Sequence, residues 1–99
     1  MKDLRLDTVI HSPNRLQICS LLTPIETAEF QVLREELGVS DSVLCKHMKQ
    51  LEQAGYVKQR KKKLAGRQRT WVYLTNKGRK AFKTHMEELK RLVDLIDIK

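Results

Sequence analysis

Two apolar stretches with helical spacing meet at the short sequence Gly38-Val39-Ser40, and this junction restricts the fold more than any other part of the chain. Before the junction, apolar residues of the stretch 30–37 repeat at i, i+3 and i+7, which predicts one stripe of a helix. Gly38 follows directly, in the position of a helix C-cap. Because Ser40 is a favourable N-cap, a second helix is expected to begin there after a tight turn.

The second helix is predicted to have one anchoring face and one polar face. Leu44, Met48 and Leu51 share a face and are expected to fix the helix to the core. The pattern over 31–54 matches a helix-turn-helix, whose second helix, here 41–54, enters the major groove of DNA as the recognition helix. The side chains at its start and on its outward side are candidates for contacts with bases or phosphates; they are Ser40, Ser42, Val43, Lys46 and Lys49.

A basic hairpin is predicted after Gly55, which ends the second helix. Two runs of residues suited to strands surround a glycine-containing linker at 64–68, so a β-hairpin is expected within 56–75. The first run is too basic for a buried strand and is expected at an exposed edge. Arginine at a hairpin tip can enter the minor groove, where narrow A·T tracts concentrate negative potential. The candidate DNA contacts of the hairpin are Lys58, Arg60, Lys62, Arg67, Gln68 and Arg69.

Basic residues are concentrated in the part of the chain that holds these two elements. The whole chain has a formal net charge of +8, from 20 Lys and Arg against 12 Asp and Glu. Between Lys46 and Lys83, basic residues are accompanied by a single acid, Glu52, whereas acids outnumber bases in the rest of the chain. This asymmetry favours a nucleic-acid-binding surface over an evenly solvated charged one.

The residues upstream of the junction predict a further helix and a short strand. Ser12-Pro13 is a helix start signal, because Ser can cap a helix and Pro is tolerated at its first position. This helix is expected to run to about Leu22, where Thr23-Pro24 ends it. Apolar spacing over 6–10 predicts a short helix before it, and Ala28–Phe30 is interpreted as a short strand.

The last stretch, 76–98, is predicted to form an amphipathic helix that pairs with a second copy. Five apolar residues from Phe82 to Ile96 repeat at steps of four, three, four and three, which is an a/d seam. The seam could also pack on the domain itself, but a chain with a small core gains more from pairing. A two-fold dimer on a palindromic operator would place its recognition helices about 34–36 Å apart. The residues expected at the interface are Val9, Ile10, Phe82, Met86, Leu89, Leu92, Val93 and Ile96.

Several classes of protein are not expected from this sequence. The length of 99 residues indicates one domain, 1–99, which is mainly α with a small β-hairpin, an α+β fold. Apolar runs are far shorter than the roughly 20 residues of a membrane span, no secretory signal is visible, and Cys19 and Cys45 lack CxxC spacing. Neither a nucleophile–base set nor a phosphate-cradling glycine loop is visible. We therefore expect a cytoplasmic protein without membrane association, metal, cofactor or enzymatic activity.

Several short motifs occur together between the first predicted helix and the last. They are Ser12–Ile18, Gly38-Val39-Ser40, His47 with Leu51-Glu52 and Ala54–Val57, Gly66-Arg67, Arg69-Thr70-Trp71, Leu74-Thr75, Gly78-Arg79 and Phe82. This combination resembles the compact winged-helix transcription regulators of the MarR-like group over roughly residues 6–85. The resemblance implies a homodimeric repressor or activator, with 41–54 as recognition helix and 57–74 as wing. Lys46 stands where Arg is common in the group, and Lys acts as a point charge rather than a bidentate fork.

Other interpretations of the same features stay open at this point. A winged-helix domain could serve as a protein-interaction module, and a basic one could be a nonspecific architectural DNA binder. Trp71 could stack on a nucleotide, although packing within the wing is the favoured interpretation. A small-molecule effector stays undefined, because the chain has little sequence beyond the core domain for a dedicated pocket.

Overall fold

The computed structural model describes residues 4–96 and has a winged-helix fold, which confirms the predicted α+β class. Within this range, four helices accompany one three-stranded antiparallel sheet. The end of the predicted last helix, 97–98, lies outside the described residues. The elements in chain order are α1 (Pro13–Leu22), β1 (Ala28–Glu29), α2 (Phe30–Leu37), α3 (Asp41–Gln53), β2 (Val57–Leu64), β3 (Arg67–Leu74) and α4 (Asn76–Ile96).

The helix predicted at 6–10 is not present, and a hydrogen-bonded turn takes its place. The Asp7 carboxylate accepts hydrogen bonds from the backbone N–H groups of Val9, at 2.9 Å, and of Ile10, at 3.1 Å. An Asp side chain that satisfies nearby N–H groups offers the backbone an alternative to a helix. The helix that follows starts as predicted, because the Ser12 hydroxyl caps it and Pro13 occupies its first position.

The turn between α2 and α3 has the predicted caps. Gly38 adopts a left-handed conformation with φ 66°, and its N–H donates to the Arg34 carbonyl at 2.9 Å. The Ser40 hydroxyl accepts from the Val43 N–H at 3.3 Å and so caps α3. An ion pair of 3.2 Å between Arg34 and Asp41 spans the junction. The angle between the two helices is therefore held from both sides of the turn.

The hairpin is longer than the sequence pattern indicates. Its connection consists of Ala65 and Gly66 alone, both with positive φ, at 52° and 78°. Two-residue turns of this kind match the right-handed twist of the flanking strands. The predicted linker 64–68 is therefore too long: Leu64 and Arg67 face each other as the last pair of the ladder. In the sheet, β3 lies between β1 and β2.

The core lies between the three N-terminal helices and one face of the sheet. Fully or almost fully buried residues from every one of these elements form a single cluster. Ile10 belongs to this cluster and is 0% exposed, so the prediction that it contributes to a dimer interface is wrong. The turn at Asp7 directs Ile10 inward, where it has no surface left for a partner. The principal members are Ile10, Ile18, Leu22, Leu33, Leu44, Met48, Leu51, Val57, Val72 and Leu74.

Helix α4 begins against the end of α3 through a close backbone approach. The Thr75 hydroxyl accepts from the Gly78 N–H at 3.0 Å and donates to the Gly55 carbonyl at 2.6 Å. A Cβ atom at position 78 would lie 2.1 Å from the Tyr56 carbonyl oxygen, so only glycine fits there. This contact sets where α4 leaves the domain.

Candidate nucleic-acid interface

Helix α3 presents a polar face to solvent because its opposite face is entirely buried. Leu44, Met48 and Leu51 are each 0% exposed. The outward face carries short polar groups and cations, together with Val43, which is 39% exposed although apolar. Every α3 candidate from the sequence is therefore accessible to a ligand. The exposed candidates are Ser40, Ser42, Val43, Lys46 and Lys49.

Arg15 of α1 binds side chains of α3 and helps to hold this helix in position, a role that was not predicted from the sequence. Its guanidinium donates to the Gln50 side-chain oxygen, to the Val9 carbonyl and to Nδ1 of His47, the last at 3.0 Å. Arginine can only donate, so Nδ1 of His47 must accept, which leaves the ring proton on Nε2. Nε2 lies 3.2 Å from Nδ2 of Asn14, and because two donors cannot bond to each other, we infer that the amide is turned so that its oxygen accepts from Nε2. Apart from the bond between Arg15 and Val9, these contacts join residues more than 30 positions apart, which local sequence patterns do not reveal.

His47 is held in its neutral form by this environment. Burial lowers the pKa of His47 below its usual 6.5, and the positive charges of Arg15 and Lys46 lower it further. A neutral ring can accept from Arg15, whereas a protonated ring would repel it. His47 therefore links α3 to α1.

The two faces of the hairpin carry different basic residues. Side chains alternate along a strand, so Lys58, Arg60 and Lys62 of β2 share the face that points away from the core. Lys61 and Lys63 lie on the opposite face, beyond the part of the sheet that covers the core. All five are exposed, so the hairpin presents positive charge on both sides.

The tip of the hairpin exposes only part of the predicted set of contacts. Arg67 and Gln68 are exposed beside the turn. Arg69 instead donates to the Glu29 carboxylate at 2.7 Å, and this ion pair ties β3 to β1. The prediction that Arg69 is available to DNA therefore needs correction, because its charge is compensated and its side chain is only 33% exposed.

Two further residues of the basic segment contact the domain itself. Arg79 donates to the carbonyls of Thr23, at 2.7 Å, and Ile25, at 3.1 Å, and so fastens α4 to the loop after α1. Lys77 lies over the Tyr56 ring, 5.8 Å from its centre. Arg79 is therefore engaged within the domain, whereas Lys77, Lys80 and Lys83 at the start of α4 stay exposed.

Helix α4 leaves the domain with an uncovered apolar side. Phe82 packs against the core, whereas Met86 is 43% exposed and Val93 is 55% exposed. Leu89 and Leu92 are half-buried, and Ile96 is 56% exposed. The predicted seam is thus an apolar strip at the surface of one chain, apart from Phe82.

Two histidines that are distant in sequence meet at the base of α4. His85 is 1% exposed; its Nδ1 accepts from the Asp7 N–H at 3.0 Å, and its Nε2 lies 3.2 Å from Nδ1 of His11. The Tyr56 hydroxyl donates to Asp7 at 2.5 Å, which with burial raises the pKa of Tyr56 to about 12. Burial, followed by the nearby His11, lowers the pKa of His85. Asp7 thus joins the N-terminal segment to α4.

The described residues show no grouping suited to metal binding. Within 4–96, no set of three or more His, Cys, Asp or Glu side chains could hold a metal ion. Burial, together with the charge of Asp7, raises the pKa of Cys19 to about 11, so this thiol stays protonated. In the same range, no helix has the length and apolar character needed to cross a membrane.

Comparison with known proteins identifies relatives of both sequence and fold. A family model described as a winged helix DNA-binding domain matches residues 14–93. An uncharacterized protein of Methanocaldococcus jannaschii, MJ0432, is 39% identical over 84 residues, which cover 85% of this chain and 91% of that protein.

Solved structures show the same architecture. The structure of a transcriptional regulator homologue from Pyrococcus horikoshii is 31% identical, with a TM-score of 0.89, and the match covers 98% of this chain and 96% of that one. MarR shares the fold, with a TM-score of 0.76 over 90% of this chain and 64% of its own, at 13% identity.

Proposed function

The chain belongs to the winged helix DNA-binding domain family. We propose that it is a MarR-like regulator of transcription, which acts as a homodimer and recognises a specific duplex sequence. In this proposal, the α3 region, 41–54, enters the major groove, and the wing, 57–74, reaches the adjacent minor groove and backbone. The family and fold are those of transcriptional regulators, and no enzymatic activity is proposed. The expected site of action is the cytoplasm.

The outward face of α3 is the observation that carries this proposal. A helix whose opposite face is fully buried has a fixed orientation, so its exposed side chains can be placed against base edges with little entropic cost. Val43 offers an apolar surface of the kind that contacts a thymine methyl group. Lys46 and Lys49 can donate to guanine or to phosphate, and Ser42 can bond to either.

The wing is proposed to add affinity rather than most of the specificity. Arg67 at the tip fits a narrow minor groove, whose negative potential attracts a guanidinium group. Gln68 beside it can bond to sugar or phosphate oxygens. The exposed cations Lys58, Arg60 and Lys62 raise the local positive potential, which speeds association and makes binding depend on salt.

The apolar side of α4 supports the proposed homodimer. Exposed positions such as Val93 and Ile96 continue the strip that begins at Met86, and Val9 is partly buried against the core. Burying such a strip against its symmetry mate removes apolar surface from water at about 25 cal/mol per Å². The proposed interface comprises Val9, Phe82, Met86, Leu89, Leu92, Val93 and Ile96.

Selection of bound duplexes from random DNA tests the function directly. A palindromic motif with half-sites one helical turn apart is the expected result, because a two-fold dimer presents two identical helices. Recovery of no motif, with equal affinity for all duplexes, would favour a nonspecific architectural binder. Failure to retain any duplex at low salt would favour a protein-interaction module instead.

The dimer is tested by Leu89→Glu, which places a charge in the middle of the proposed seam. We expect sedimentation to show a monomer and affinity for the palindrome to fall at least tenfold, because the two half-sites are then bound independently. Glu87→Gln, at an exposed position of the same helix, is the matched control and should stay dimeric. A dimeric Leu89→Glu variant would show that the seam is not the interface.

A further inference from the structure

The outer face of the wing, which points away from the core, combines aromatic rings with a row of cations. The strand register places Tyr73 of β3 beside Lys58 of β2, and Trp71 beside Arg60. Lys62 continues the row toward the tip. Side chains two residues apart on one strand are about 6.6 Å apart, so the cations form a regular line beside the rings.

Four of these residues, Arg60, Lys62, Trp71 and Tyr73, border an open groove of about 440 Å³. Trp71 and Tyr73 are each half-buried, so part of both rings lies at the surface. The Arg60 guanidinium lies over the Tyr73 ring, 5.3 Å from its centre, and is therefore held by a cation–π contact. Leu64 adds apolar surface near the tip, where it is 53% exposed. The groove thus offers two flat surfaces, the Trp71 ring and the supported guanidinium.

The carboxylates near the groove do not cancel its positive charge. Glu29 pairs with Arg69 at 2.7 Å and is compensated. Glu26 lies at the rim, on the loop before β1. A carboxylate there repels a phosphate but can accept a hydrogen bond from the amino group of a base. The cations of β2 lie on the other side of the rings, so the groove has a base-accepting side and a phosphate-accepting side.

We propose that this outer face binds single-stranded nucleic acid, with bases on Trp71 and on the Arg60 guanidinium and phosphates along Lys58 and Lys62. Aromatic and guanidinium planes next to a basic track are the features that bind unpaired bases without strong sequence preference. Bases inside a duplex are already stacked, so a duplex cannot offer their faces to these planes. The site is distinct from the outward face of α3 and does not depend on the proposed operator specificity.

The tryptophan content of the chain makes the site directly observable. Trp71 is the single tryptophan, so fluorescence excited at wavelengths that tyrosine does not absorb reports on this groove. Titration of the full chain with a 12-residue oligothymidylate should quench the fluorescence to saturation. A blunt duplex of the same length, and an abasic oligomer with the same number of phosphates, should quench far less, because neither offers free base faces.

Variants separate this site from the proposed duplex contacts of α3. Trp71→Leu should weaken binding of a fluorescein-labelled oligothymidylate at least fivefold by anisotropy, whereas Trp71→Phe, which keeps a ring, should retain most of it. If Trp71→Leu lowers the melting temperature, Arg60→Ala provides the test instead, because it removes the guanidinium stacking surface at an exposed position. The double variant Lys46→Ala, Lys49→Ala, which lies outside the wing, should weaken binding to the selected duplex at least tenfold and keep single-strand binding.

Four results would overturn the proposal. Equal affinity for the abasic oligomer would mean that only charge matters, and equal quenching by the duplex would assign the face to duplex binding. Saturation by thymidine monophosphate at the same concentration would mean a small-nucleotide site. Equal affinity for a glutamate-rich peptide would mean an acidic-peptide surface.

Discussion

Helix α3 and the wing are both basic and exposed, but they are attached to the domain in different ways. The polar face of α3 lies on a helix whose other face is 0% exposed at Leu44, Met48 and Leu51. The outer half of the wing, in contrast, has exposed residues on both of its faces from Lys61 to Gln68. A rigidly seated face can discriminate between sequences, because a displaced contact cannot readjust. A protruding hairpin follows the backbone and contributes mainly charge.

Removing an anchor of α3 should give the largest difference between the two regions. Met48→Ala is expected to cost about 2–5 kcal/mol of unfolding free energy, since it leaves a cavity under the helix. The matched control is Leu64→Ala at the 53% exposed end of β2, which should change stability by less than about 0.5 kcal/mol. Urea unfolding measures both. Similar losses of unfolding free energy for the two variants would show that α3 and the wing are attached to the domain equally firmly.

Removing one cation from each region should separate specificity from general affinity. Lys46→Ala is expected to weaken binding to the selected palindrome about tenfold more than binding to random duplex, because a lost base contact affects only the cognate site. Arg67→Ala should weaken both and reduce the salt slope by about one, with an unchanged melting temperature. A purely uniform loss for Lys46→Ala would remove α3 from sequence recognition.

Acidification should loosen α3 before it affects the wing. The pKa of His47 is lowered in the folded state, so the unfolded chain takes up the proton first. The stability that neutral His47 contributes is therefore complete above about pH 6.5 and is lost as the pH falls through its lowered pKa. The pKa of His85 is also lowered, so its contribution to stability is lost on acidification as well. The wing contains no histidine.

Hydrogen exchange at pH 7 and at pH 5, corrected for intrinsic rates, measures this difference. Protection of α3 amides should fall, while that of the β2–β3 ladder should change little. His47→Gln should remove most of the α3 effect and leave the contribution of His85. Loss of protection in β2 and β3 at a higher pH than in α3 would show that Arg15 and His47 do not hold α3 in position.

The smallest effect is expected for a single wing lysine. Lys61→Ala should lower affinity for palindrome and random duplex by the same few-fold factor, because a phosphate contact carries no sequence information. Competition binding with both duplexes in one buffer measures the ratio. A selective loss for the palindrome would mean that the wing reads bases as well.

Elements set by local chemistry could be predicted from the sequence. The Gly38 and Ser40 caps, the buried stripe of α3 and the strand–turn–strand pattern depend on residues within a few positions of one another. The Ser12 cap of α1 was also visible for this reason. The error at 6–10 shows the limit of periodicity, because an Asp side chain competed successfully for the backbone N–H groups of the expected helix.

Most residues of the site could also be predicted from the sequence, but the contacts that these residues make within the domain could not. Local patterns along the chain were sufficient to predict the order of the elements, the basic character of α3 and the wing, and the apolar strip of α4. The packing of the folded chain was needed to show that Ile10 is core, that Glu29 compensates Arg69, and that Arg15 and His47 hold α3 in place. The two polar contacts join residues 32 and 40 positions apart, and Ile10 packs in a core formed by residues far along the chain. Such pairings depend on how helices and strands pack, whereas periodicity, caps and turns record only near neighbours along the chain.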